Sequence, residues 1–152
     1  MLDFYLDADP TAVNRLDFGS LVTFPGSRTI VRDLLERGLD PNQTDWLGKT
    51  FLQMCAEIGN RAVAAALLDA GADINAREVE FQGTPLAAAV RSCSNRKDYN
   101  QAKRGKRMIE FLLKRGAATD LPGDEPWATP LGWARKRGLA DVVQLLREHR
   151  AS

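Results

Sequence analysis

Thr84-Pro85-Leu86-Ala87-Ala88 decides the fold, because the phrase returns as Thr129-Pro130-Leu131-Gly132-Trp133-Ala134 and, altered, as Thr50-Phe51-Leu52-Gln53-Met54-Cys55-Ala56. A phrase recurring at a period of tens of residues marks a repeat protein, whose units bury their apolar faces only against their neighbours. The spacing is 34 residues from Thr50 to Thr84 and 45 from Thr84 to Thr129. A second phrase locates the difference. Leu34-Leu35-Glu36-Arg37-Gly38, Leu67-Leu68-Asp69-Ala70-Gly71 and Leu112-Leu113-Lys114-Arg115-Gly116 share one pattern. Gly71 follows Thr50 by 21 residues, whereas Gly116 follows Thr84 by 32, so the third copy carries about 11 added residues in its first half.

The phrases also make physical sense. Thr at a helix start accepts a hydrogen bond from an amide that has no partner in the first turn, and Pro one place later occupies a position whose N–H is free anyway. Thr84-Pro85 and Thr129-Pro130 therefore predict the starts of inner helices. Ala88 and Ala89 are small enough to let neighbouring helices approach closely. Apolar doublets follow at helical spacing: Val63 with Leu67 and Leu68, Met108 and Ile109 with Leu112 and Leu113, Val142 and Val143 with Leu145 and Leu146. Gly38, Gly71 and Gly116 then stand where a left-handed residue ends a helix at least cost.

With these phrases in place the chain resembles ankyrin-repeat proteins, the Asp45-Trp46-Leu47-Gly48-Lys49-Thr50 and Gly71-Ala72-Asp73-Ile74-Asn75-Ala76 stretches standing at that family's two most characteristic positions. The resemblance implies an all-α solenoid of about four helix-turn-helix units joined by β-turn or hairpin loops. It divides the single domain, 1–152, into an N-terminal cap at 1–16, units at about 17–48, 49–82 and 83–127, and a C-terminal cap at 128–150. The family's usual His after Thr-Pro-Leu is replaced by Gln53, Ala87 and Gly132, which predicts a weaker hydrogen-bond network at the helix starts.

Composition bounds the function. The chain has 152 residues, 44% of them hydrophobic and 27% charged, and no run approaches the roughly 18 apolar residues of a membrane span. The first residues carry acids and lack a basic segment, so a secretory signal is not expected and a cytoplasmic protein is. Cys55 and Cys93 have no partner at metal-ligand spacing and read as small core residues. His149 alone supplies an imidazole, at the end of the last helix, and Leu47-Gly48-Lys49-Thr50 lacks the upstream glycine of a phosphate loop. Neither an enzyme nor a bound cofactor or metal is expected.

The resemblance implies instead that loop tips and inner-helix positions form a concave protein-binding face. Trp46, Leu47, Lys49, Glu57 and Ile58 from one unit, Glu80, Phe81, Arg91 and Ser92 from the next, and Glu125, Pro126, Trp127, Lys136 and Arg137 from the last map there. Phe81 is the expected leading anchor, since its tip is one residue longer than that of Trp46 and should project further. The insertion, centred near 94–104, is a second feature. From Arg91 to Arg107 seven basic residues, including Arg96, Lys97, Lys103, Arg104, Lys106 and Arg107, face one acid, a local charge of +6 in a chain of +1. It reads either as a solvated helical extension or as an electrostatic contact with an acidic partner; nucleic acid is disfavoured, since only Tyr99 could stack on a base. Asp9-Pro10, Val13 and Leu16 suit a short helix covering the end of the array, and Phe4, Tyr5 and Leu6 suit an arm.

The function expected is that of a non-catalytic protein-interaction module binding one protein partner. Because the chain starts at Met and holds only a short array, the sequence points to a monomeric, free-standing inhibitor or adaptor. The alternatives are a bacterial immunity protein that neutralises a cognate toxin, and a scaffold or regulatory subunit.

Overall fold

The computed structural model describes residues 19, 23, 26–93 and 99–152. The capping segment 1–16 expected from the sequence, with Phe4, Tyr5 and Leu6, lies outside the described residues, as do Arg96 and Lys97. From residue 26 onward the described residues form seven helices: α1 Ser27–Glu36, α2 Phe51–Ile58, α3 Arg61–Asp69, α4 Pro85–Ser92, α5 Tyr99–Lys114, α6 Pro130–Lys136 and α7 Ala140–Ala151. The described residues contain no strand, only an isolated antiparallel bridge between Thr44 and Thr50. The all-helical class inferred from the sequence is what the structure shows.

Each inner helix begins at a repeated Thr. The Thr50, Thr84 and Thr129 hydroxyls accept from the amides of Gln53, Ala87 and Gly132, which satisfies one of the orphan donors of the first turn. The helices α1, α3 and α5 end in one motif. Leu39, Ala72 and Ala117 donate back to the carbonyls of Leu34, Leu67 and Leu112, while Gly38, Gly71 and Gly116 take φ of 99°, 98° and 90°. These are Schellman ends, which need a residue without Cβ strain at the left-handed position.

The inner helices α2, α4 and α6 pack on one another in chain order, and each inner helix packs on the outer helix that follows it, α3, α5 and α7 respectively. α1 packs on α3. Leu34, Leu52, Leu67, Leu86, Met108, Ile109 and Leu112 are fully buried in the continuous core between them. Burial of each such side chain stabilises by about 1.5–3 kcal/mol. The loops are clasped as well. Asn42 accepts from the Asp73 amide (2.6 Å) and donates to the Gly71 carbonyl (3.2 Å), and Asn75 accepts from the Ala118 amide (2.9 Å).

Two expectations at the helix starts need correction. The Gln53 position does not weaken its network. Gln53 is fully buried, its Oε1 accepts from the Thr50 amide (2.7 Å), and its Nε2 donates to the carbonyls of Ala76 (3.0 Å) and Gly83 (2.8 Å). One amide side chain thus ties its own helix start to both ends of the next loop. Gly132, also expected to weaken the network, donates its amide to the Thr129 hydroxyl at 3.0 Å and is required by space: a Cβ there would lie 2.3 Å from the Pro126 carbonyl oxygen. The added residues of the third copy appear, from Tyr99 onward, as the first turns of α5, a helix of 16 residues against 9 in α3.

Candidate functional site

Three loop tips precede the three inner helices. In the first, residues 45–49, the Asp45 carboxylate accepts from the amides of Leu47 and Lys49, both at 2.9 Å. This closes the turn and leaves Trp46 with its ring outside, 89% exposed. The second tip, residues 78–83, is organised by Glu78, which is buried. Its two carboxylate oxygens both accept from the Phe81 amide at 3.0 Å. Gln82 follows with φ of 51°, and the chain turns back. Val79 stands at the apex, 71% exposed. Its amide donates to the Leu47 carbonyl at 2.9 Å, so the two tips are joined, with Trp46 and Val79 each exposed on its own turn.

Phe81 therefore does not project, contrary to the expectation. It is half-buried and packs on the core. Its ring meets Trp133 of α6 edge to face, with centroids 6.1 Å apart at 75°, and the Arg91 guanidinium lies over it at 3.7 Å. The cause is local. A buried carboxylate on the Phe81 amide draws the backbone inward, and a tryptophan in the following unit supplies the surface on which the ring rests.

Arg91 links this aromatic pair to a second cluster. Its guanidinium pairs with Glu57 Oε1, while Glu57 Oε2 takes Lys49 Nζ at 3.1 Å. On the other side Lys136 Nζ stands 4.9 Å from the Trp133 ring centroid. Lys49, Glu57, Arg91, Phe81, Trp133 and Lys136 thus form one row crossing α2, α4 and α6. The Lys49 and Glu57 side chains are only 19% and 22% exposed, so salt screens this pair less than an open surface ion pair. Cation–π contacts of this kind contribute about 0.5–1 kcal/mol each when partly exposed.

The structure brings Lys49, Glu57, Phe81, Arg91 and Lys136 together, and places Trp46 and Leu47 on the first tip beside them. Glu80, Glu125, Trp127 and Arg137 are exposed, with Trp127 at 50%. Two residues were missed. Val79 was passed over because it flanks an aromatic in the same tip. Trp133, 8% exposed, occupies the fourth place after the repeat Thr, where the other copies carry Met54 and Ala88. Bulk at a position otherwise held by smaller residues was the available signal.

The basic residues divide between two surroundings. Lys106 pairs with Asp141 at 2.9 Å, and the carboxylate hydrogen bond raises the Lys106 pKa while Lys106 lowers that of Asp141. Lys103, Arg104 and Arg107 lie exposed on α5. Cys55 and Cys93 are free and buried, and burial pushes both thiols up. The described residues hold no group of three or more His, Cys, Asp or Glu placed to bind a metal ion. None of their helices is long and apolar enough to cross a membrane.

Residues 47–78 match the family model described as Ankyrin repeat. Among curated proteins the chain is similar to the NF-kappa-B inhibitor delta of Mus musculus, 32% identical over 127 residues, covering 77% of this chain and 39% of that protein. It is 29% identical over 134 residues to the ankyrin repeat, SAM and basic leucine zipper domain-containing protein 1 of Carollia perspicillata, covering 88% of this chain and 26% of that protein. It is 28% identical over 126 residues to the ankyrin repeat and SAM domain-containing protein 6 of Danio rerio, covering 83% and 16%. The chain thus spans well under half the length of these relatives. All three are metazoan, and a bacterial origin draws no support from them. The chain carries an ankyrin repeat at residues 47–78 and, over most of its length, is similar to ankyrin-repeat proteins.

Proposed function

We propose that this chain is a non-catalytic module that binds one protein partner on the face formed by its tips and inner helices, and that it acts as an inhibitor or adaptor. The observation that carries this reading is that Trp46 and Val79 are exposed on two turns that hydrogen bonds fix and join to each other. Beside them runs the charged and aromatic row from Lys49 to Lys136. An exposed apolar anchor with a polar surround is what a protein interface uses, and a rigid anchor avoids ordering costs on binding. Glu80, Glu125, Trp127 and Arg137 belong to the rim of the proposed face.

The name of the mouse relative supports the inhibitor half of the reading. The chemistry supports the non-catalytic half: both thiols are buried and their pKa values raised, the opposite of an activated nucleophile. A stacked solenoid of about four units, divided as the sequence suggests, belongs to the same proposal, as do a monomeric state and the cytoplasm, a compartment that suits free cysteines. The immunity-protein alternative draws no support from the metazoan relatives.

The test is affinity capture with wild type beside a Trp46→Ala, Val79→Ser double variant, followed by calorimetry with the captured protein. Loss of about two hot-spot contacts predicts binding weaker by about a hundredfold. Undiminished affinity would remove the tips from the interface. An inhibitor abolishes the activity of the captured protein, and an adaptor leaves it intact.

A further inference from the structure

We infer that the chain has a second binding site, a basic cleft that takes an acidic peptide segment. The cleft lies between the turn joining α2 to α3 and the first turns of α5, with a volume of about 820 Å³. Arg61 from the start of α3 and Lys103, Arg104 and Arg107 from α5 line it, with Ile58 and Ala62 as its apolar wall. No acidic side chain is among its described lining residues. Four cations converge here in a chain whose net charge is only +1, so the cleft does not reflect a generally basic protein.

The ion pairs of the molecule sharpen the point. Lys49 and Arg91 share Glu57, Lys106 has Asp141, Arg115 has Asp69 and Arg77 has Asp124. Arg61, Arg104 and Arg107 make no ion pair among the described residues. These three arginines, with no counter-charge among the described lining residues, repel one another, and a bound anion removes that repulsion. The positive ends of α3 and α5 add to the field, since Arg61 and Asn100 in their first turns also line the cleft. Gly59 positions one of the cations: a Cβ there would fall 2.6 Å from Arg104 Cγ, so the arginine stem lies close over the turn.

Shape selects a peptide over a small anion. A second cleft of about 450 Å³ shares Ile58, Gly59, Asn100 and Arg104 with the first and extends it toward Glu57 and Ser92. Together they make a groove long enough for several residues, open to solvent, with an apolar contact at Ile58, which is 36% exposed. No aromatic ring is among the described lining residues of the groove, and base stacking is the contact that single-stranded nucleic acid would use. The groove meets the inner-helix row at Glu57 and Ser92, but neither Trp46 nor Val79 is among its described lining residues.

Fluorescence anisotropy with labelled hexaglutamate tests the assignment, with labelled hexalysine and oligothymidylate as the other probes. Wild type is expected to bind hexaglutamate in preference to both, and to lose affinity as salt is raised from about 0.05 to 0.5 M. An Arg61→Gln, Arg104→Gln, Arg107→Gln triple variant alters exposed side chains only. Its circular dichroism should match wild type while hexaglutamate binding weakens by about tenfold or more. Trp46→Ala, Val79→Ser should bind hexaglutamate as wild type does. Unchanged binding by the triple variant, an equal loss in the tip variant, or tighter binding of oligothymidylate would each overturn the proposal.

Discussion

The tips at residues 45–49 and 78–83 each carry an aromatic residue and each are closed by a carboxylate, yet the two rings have opposite fates. Asp45 accepts from Leu47 and Lys49, so the turn tightens behind Trp46 and leaves its ring in solvent. Glu78 lies buried and accepts from Phe81 itself, so the aromatic is drawn in and Val79 takes the apex. One residue is available for recognition and the other cements three units through Arg91 and Trp133. An aromatic at a loop tip is therefore not an anchor by virtue of its type; the direction of the turn-closing hydrogen bond decides.

The comparison can be broken most severely at the residue that holds the two tips in register. Gln53→Ala leaves the Thr50 amide and the Ala76 and Gly83 carbonyls without their partner. A loss of about 3 kcal/mol is expected in urea unfolding, since unsatisfied buried groups cost about 1–3 kcal/mol each and do not add fully. The paired aromatics come next. Phe81→Ala removes a half-buried ring and its contacts with Arg91 and Trp133, and should cost about 2 kcal/mol. Trp46→Ala should change stability by less than about 0.5 kcal/mol while weakening partner binding; equal losses at the two positions would erase the distinction.

A smaller effect is expected at Gln82, whose φ of 51° is strained for a side chain. Gln82→Gly relieves that strain at the cost of a more flexible unfolded chain, so a gain of up to about 0.5 kcal/mol is expected by thermal melting. The smallest effect lies away from both tips, at Lys106 and Asp141. The depressed Asp141 pKa means that its contribution is present above the ordinary carboxylate value of 3.8 and lost as pH falls through the lower folded value. The raised Lys106 pKa means that its share is present below 10.5 and lost as pH rises through the higher folded value. Both side chains are largely exposed, 43% and 60%, so Asp141→Asn should cost less than about 0.5 kcal/mol near neutral pH. Under strongly acidic conditions the difference should vanish.

Much of the fold was legible because it is built from local rules repeated. Thr50, Thr84 and Thr129 cap the helices that they precede, and Gly38, Gly71 and Gly116 end the outer helices in left-handed geometry. The lengthened third copy announced a longer α5. The candidate site was legible in part: Lys49, Glu57, Arg91 and Lys136 were placed on one face by counting from the repeat Thr, and they do form a row. Phe81 was misjudged because its direction depends on Glu78 closing the turn and on Trp133, 52 residues further along. The value of Gln53 was likewise hidden, since its partners Ala76 and Gly83 lie in the next loop.

The sequence by itself determined the starts of the inner helices, the ends of three outer helices, the repeat and the resemblance to ankyrin-repeat proteins, because caps, prolines and left-handed glycines act within a few residues of themselves. Only the tertiary structure decided which aromatics face solvent and which charges are paired. Those outcomes depend on side chains brought together from successive units, at distances that no local pattern encodes.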